Sequence, residues 1–268
     1  MNYITNGDTI IFAPSFNDEL DYKLLNNYKK IIFSNYHLNH NLFEKYENNY
    51  FDDLKHYNLN YDNSKFNQSV DNLPYTITHL TFGHNFNQFV DYLPFTITHL
   101  KFGHNFNQFV DNLPSTITNL TFGRKFNQFV DNLPLIKSSI THLTFGREFN
   151  QSVDNLPSSI THLTFGFYSK FNNSIDNLPS SITHLIFSFH SEFNKSVDNL
   201  PSSITHLTIG YFFFQSLNNL PRLIEFIELP DKYENKILNI PKKLKIIKCS
   251  KKYKHINDFV GLEVIPLY

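Results

Sequence analysis

Through the middle of the chain, apolar and polar positions follow one repeated phrase, I-T-H-L-T-F-G-x-x-F-N-Q-x-V-D-N-L-P-x-x. The Leu-Pro pair that closes it returns at Pro74, Pro94, Pro114, Pro134, Pro157, Pro179, Pro201 and Pro221, in steps of 20, 20, 20, 23, 22, 22 and 20 residues. The longer steps trace to Leu135-Ile136-Lys137 after one Leu-Pro and to two extra residues before Phe171 and before Phe193. Self-similarity at this period is the mark of a stacked-repeat architecture. Within I-x-x-L-x-F, the Leu and Phe fall on one face of a strand and the Thr and His on the other. Gly then ends the strand. Roughly 13 residues, a Pro among them, remain before the next Ile, which excludes a helix of more than one turn.

The flanks read as worn copies of the same unit. Downstream, Ile224/Ile227/Leu229, Leu244/Ile247/Cys249 and Phe259/Leu262/Val264 supply three rungs, and Tyr233 to Pro241 repeats the return segment. Upstream, Leu54 to Leu59 matches the strand phrase even to its histidine, while Ile31/Phe33 and Ile10/Phe12 begin two looser units. Thirteen strands are expected in one continuous solenoid, with degenerate repeats or caps at residues 1–65 and 222–268 and regular repeats over 66–221. The N-terminal end is expected to be frayed. A lone unit has too few apolar side chains to offset the ordering of its backbone, so each needs its neighbours.

Composition agrees with strands: 29 Phe and 15 Tyr stand against a single alanine, Ala13. The 23 Lys and Arg nearly balance 24 Asp and Glu, leaving a net charge of -1 and no general field for nucleic acid. One cysteine, Cys249, closes no intrachain disulfide and falls on an inward position, where it reads as core. No secretory leader and no span of about 20 apolar residues stands out, so a cytoplasmic protein without a membrane contact is expected.

The stretch FNQSVDNLPSSITHLTFG, Phe149 to Gly166, resembles the unit of FNIP-repeat proteins, relatives of leucine-rich repeats found in slime moulds and in large viruses of amoebae. The resemblance is strong over about residues 66–220, with Leu-Pro in place of the Ile-Pro of the family name. It implies a mainly β repeat solenoid, a short leucine-rich-repeat-like horseshoe with a parallel sheet on one side and turns on the other. It also implies a scaffold without catalytic residues or a cofactor. Some members look like ubiquitin-ligase adaptors with an N-terminal F-box-like segment; residues 1–60 read instead as degenerate rungs.

Four columns carry candidate chemistry. His79, His99, His142, His162, His184 and His206 form an outward column interrupted by Asn119, next to a column of threonines. It reads either as a solvated ladder or as a protein-binding face, while two imidazoles per rung pair without a carboxylate make a poor metal site. An asparagine follows the Phe in seven units, Asn67, Asn87, Asn107, Asn127, Asn150, Asn172 and Asn194, suited to bridging successive turns. An aspartate column, Asp71 to Asp198, is expected to accept turn N–H groups rather than hold calcium. In the fourth, Phe89, Phe109 and Phe129 replace the serine of other units, with Tyr92 and Phe95 beside them, as a partner site or as rings that shield one another. Near the C-terminal end, Lys245 and Lys248 are expected to face Glu225 and Glu228, Glu263 to face Lys248, and Lys251, Lys252 and Lys254 to remain unpaired.

No phosphate-cradling loop, nucleophile elbow, dinucleotide fingerprint or metalloprotease helix is present. The leading expectation is a non-enzymatic scaffold that binds a protein, a host factor if the gene is viral. The alternatives are a structural repeat without a selective ligand and the substrate-recognition subunit of a ubiquitin ligase that lacks its own F-box.

Overall fold

The computed structural model describes residues 2–38, 62–133 and 138–267. Among them thirteen strands form one sheet in chain order. They are β1 (Tyr3–Asn6), β2 (Thr9–Phe12), β3 (Lys30–Phe33), β4 (His79–Thr81), β5 (His99–Lys101), β6 (Asn119–Thr121), β7 (His142–Phe145), β8 (His162–Phe165), β9 (His184–Phe187), β10 (His206–Thr208), β11 (Phe226–Glu228), β12 (Ile246–Cys249) and β13 (Glu263–Pro266). From β2 onward every pairing is parallel, with Leu on Leu and His on His through the regular rungs. One helical turn, α1 (Tyr22–Leu25), and a 3₁₀ turn at Ile256–Asp258 are the helical elements among these residues. The protein is thus a mainly β parallel solenoid, as the repeat predicts.

Each unit buries the same six apolar positions, for example Ile77, Leu80, Phe82, Phe86, Val90 and Leu93. The two rings of a unit stack face to face, Phe122 on Phe126 at 3.7 Å, and each also stacks on its counterparts in neighbouring rungs. Ring separations between rungs record a curve. They are 4.1 Å for His79–His99 on the outward sheet face, 5.7 Å for Phe82–Phe102 just inside, and 6.1 Å for Phe86–Phe106 on the far side of the core. The sheet therefore lies on the inner, concave side. The glycines that follow the strands of the central rungs are required by close approach: a Cβ on Gly103 would overlap the carbonyl oxygen of Gly83, and one on Gly123 that of Gly103.

Three features depart from the sequence expectation. The rung read at Leu54–Leu59 lies outside the described residues, and β3 pairs directly with β4, Ile31 opposite Leu80, so no rung stands between them. Phe66 stacks on Phe33 at 3.8 Å as Phe86 does on Phe82 at 3.6 Å, which makes Phe33 and Phe66 the two rings of one unit with a long insertion between them. Asn35 closes its neck: its carbonyl accepts the Asp62 N–H (2.9 Å), and its side-chain oxygen accepts those of Ser64 (3.0 Å) and His84 (2.8 Å).

The N-terminal end is capped rather than frayed. Strand β1 folds back antiparallel on β2 through the two-residue turn Gly7-Asp8, with Gly7 at φ 52°, and its Tyr3 ring covers Phe12. At the other end β13 is shifted by two residues, so that Val264 lies opposite Ile247 instead of Cys249. The 3₁₀ turn and the stacking of Phe259 on Tyr253 (5.7 Å) take up the return segment and delay the strand. Glu263 consequently faces Ile246 and Lys248 faces Ile265, not the ion pair expected.

Phe126, fully buried between three rings, should cost about 3–5 kcal/mol as Phe126→Ala. Because the hairpin covers Phe12, Phe12→Ala is also expected to be costly, and Gly123→Ala should destabilise by steric overlap. Urea unfolding followed by circular dichroism measures all three; a neutral Gly123→Ala would contradict the rung spacing.

Candidate functional site

The concave face is organised around the histidine column. Strand alternation turns His and Thr outward, and neighbouring imidazoles stack at 4.1 Å (His142–His162) and 4.2 Å (His162–His184, His184–His206). Asn119 separates this run from the His79–His99 pair. Each ring is held by the threonine before it, with 2.9 Å between Thr183 Oγ1 and His184 Nδ1, and the same hydroxyl lies 3.2 Å from the carbonyl of Thr161 one rung back. A carbonyl only accepts, so the hydroxyl donates to it and accepts from Nδ1–H. Nε2 is left as an outward acceptor. Burial, and then the neighbouring imidazoles, push His79 and His184 down to about 4 and lower His99 and His162 as well.

The asparagine column is a ladder. The side-chain oxygen of Asn67 accepts the N–H of Asn87 at 2.8 Å, Asn87 that of Asn107, and the series runs on to Asn194, which accepts from Phe214. Glutamine beside it donates to the carbonyl of the previous asparagine, as Gln88 does to Asn67 at 3.0 Å. The aspartates work differently from expectation. Where a serine stands two residues before the aspartate, the serine hydroxyl accepts the aspartate's own N–H, 3.1 Å for Asp154 on Ser152, and at Asp71, Asp154 and Asp176 it also donates back to the carboxylate, at 2.9 Å for Asp154. The free carboxylate oxygen accepts the asparagine amide of the next rung, Asn177 on Asp154 at 3.4 Å. Among the described residues no group of three or more His, Cys, Asp or Glu is placed to hold a metal ion.

Phe89, Phe109 and Phe129 are 60%, 56% and 62% exposed, so the three rings do not shield one another. Tyr92 and Phe95 are exposed too, and Tyr75, unnoticed in the sequence, stacks at a tilt on Phe95 at 5.0 Å. A second aromatic cluster was also missed. The two-residue insertions add Phe167-Tyr168 and Phe189-His190, and place the His190 ring 4.9 Å from Tyr168 and 5.1 Å from Tyr211. Tyr168 and His190 both have positive φ, 55° and 60°. The insertions were the available signal; nothing local showed that they would meet.

At the lysine-rich end, Lys245 and Lys248 pair with Glu225 (2.6 Å) and Glu228 (3.2 Å) as expected. Lys254 is not unpaired: it reaches Glu234 one rung back at 2.9 Å, and Lys236 meets Asp258 at 3.2 Å. Cys249 is buried, and burial raises its thiol above the ordinary range. No helix among the described residues is long and apolar enough to cross a membrane.

Strand, Gly turn and Leu-Pro return, stacked in register around a ring-filled core, define a leucine-rich-repeat-like solenoid. The FNIP Repeat profile matches residues 66–103, 90–125, 129–168 and 171–212, more than half of the sequence, and the chain belongs to that family. Among solved structures it is similar to CroV588, a giant-virus protein described as a novel circular leucine-rich-repeat structure, with 29% identity and a TM-score of 0.66. The match covers 94% of this chain and 42% of that one, so the chain spans less than half the length of CroV588. A search of curated proteins finds no match.

Histidines with lowered folded values stay neutral where the unfolded chain already binds protons. Their contribution is therefore complete above about pH 6.5 and is lost as pH falls toward about 4. His162→Asn with His184→Asn, using the residue found in the column at Asn119, should flatten that decline. Urea midpoints at pH 7.5, 5.5 and 4.5 for both proteins test it; parallel declines would show that the column does not titrate as a stack.

Proposed function

We propose that the chain is a non-enzymatic scaffold that binds another protein, and that its contact surface includes the Phe89, Phe109 and Phe129 strip. One observation carries this reading. In other rungs the same position is a serine whose hydroxyl accepts the N–H two residues on, as Ser69, Ser152, Ser174, Ser196 and Ser216 do. Three consecutive rungs give up that turn bond and expose a large ring instead. Local folding favours serine there, so the rings answer to something outside the chain. Tyr92 and Phe95 extend the same side, and the concave column of His79, His99, His142, His162, His184 and His206 offers a second, polar surface.

On this reading the regular centre, residues 66–221, is the working surface and the segments 1–65 and 222–268 protect its ends. The giant-virus origin of CroV588 favours a viral protein acting on a host factor in the cytoplasm. A substrate-recognition role in a ubiquitin ligase would use the same surface, with the ligase contact made outside these repeats.

The triple variant Phe89→Ser, Phe109→Ser, Phe129→Ser restores the residue of the other rungs. It should unfold at the wild-type urea midpoint or above, while proteins captured from an amoebal lysate by the wild type are lost. Light scattering on the same two proteins separates the rival reading, since self-association without a captured partner would mark a structural repeat. A variant that unfolds outright would make the rings core and remove this site.

A further inference from the structure

The Leu-Pro turns of the first regular rungs, together with α1, enclose an open cleft of about 630 Å³. We propose that this cleft binds a proline-rich peptide in the polyproline II conformation, with a basic residue directed at Asp71. The proposal rests on the reading of the chain as a protein-binding scaffold and names the chemistry of one partner.

The cleft is built from departures from the repeat. Tyr75, Tyr92 and Phe95 are 67%, 73% and 65% exposed, and the tilted Tyr75 and Phe95 rings form a continuous apolar floor across two rungs. Later units carry Asn155, Asn177 and Asn199 where Tyr92 stands, and Ser158, Ser180 and Ser202 where Phe95 stands. Those asparagines each donate to the aspartate of the previous rung, a bond that Tyr92 forgoes. Neither aromatic residue is needed by the stack.

Polyproline II has no internal hydrogen bonds, so its carbonyls are free acceptors, and it arrives with little ordering left to lose. The exposed hydroxyls of Tyr75 and Tyr92 supply donors along an aromatic floor. The aromatic floor spans two rungs, and Asn112 and Pro114 of a third extend the cleft to roughly 10–15 Å at about 4.8 Å per rung, the length of three to five residues at about 3.1 Å each. Charge selects further. Asp71 is the one charged residue among those lining the cleft, so an anionic ligand is repelled and a basic end is drawn in.

Fluorescence anisotropy with the full chain tests this, using fluorescein-labelled decaproline and versions ending in two arginines or two glutamates. Saturable binding is expected for the Arg-ended peptide, weaker binding for decaproline and none for the Glu-ended one. Tyr92→Asn with Phe95→Ser, the residues of other rungs, should weaken binding at least about tenfold, roughly 1.4 kcal/mol, with an unchanged circular dichroism spectrum. Asp71→Asn should erase the preference for the Arg-ended peptide. No saturable binding of any peptide, equal binding by the Tyr92/Phe95 variant, or binding of neutral hexasaccharides in place of the peptides overturns the proposal. If the peptides fail while the Phe triple variant still loses its lysate partner, this inference alone falls and the scaffold reading stands.

Discussion

Face-to-face contact between phenylalanine rings, within a unit and between units, is the interaction on which this molecule depends. No unit has enough apolar surface to order its own backbone, and each ring is buried only because a like ring lies above and below it. The same contacts set the shape. Rings spaced near 6 Å on one side of the core and imidazoles near 4 Å on the other bend the stack toward its sheet. Everything outside the six buried columns is thereby released from core duty.

The polar parts of the unit close the remaining accounts. Turns leave backbone N–H groups that water alone would have to satisfy; the asparagine ladder and the serine–aspartate turns take them up rung by rung. Because the pattern is so uniform, a residue that abandons it is informative. Phe89 and its two successors forgo a turn bond, and Tyr92 forgoes an inter-rung bond. These are the places where the chain gives up local stability for surface, and they are concentrated in the first half of the regular stack.

Much of this was legible in the sequence because a repeat converts a tertiary question into a local one. When every neighbour is a copy, the Leu80 of one strand can only meet the Leu100 of the next, and alternation then fixes which residues face the core and which form outward columns. The inward place of Cys249 and the pairing of Lys245 with Glu225 followed from register alone. So did the exposure of Phe89, since Val90 already fills the inward slot.

The sequence by itself determined the unit, its six buried positions, the parallel stacking and the columns on the outward faces. Only the tertiary structure decided what happens where the copies wear out. It paired β3 directly with β4 across the insertion closed by Asn35, folded β1 back as a cap, shifted β13 by two residues, and gathered His190 with Tyr168 and Tyr211. The fourth follows from inserted turn residues, and the first three share one physical reason. A degenerate strand has no identical neighbour to impose its register, so it takes the one that best fills the end of the core, and that choice depends on contacts between residues far apart in the chain.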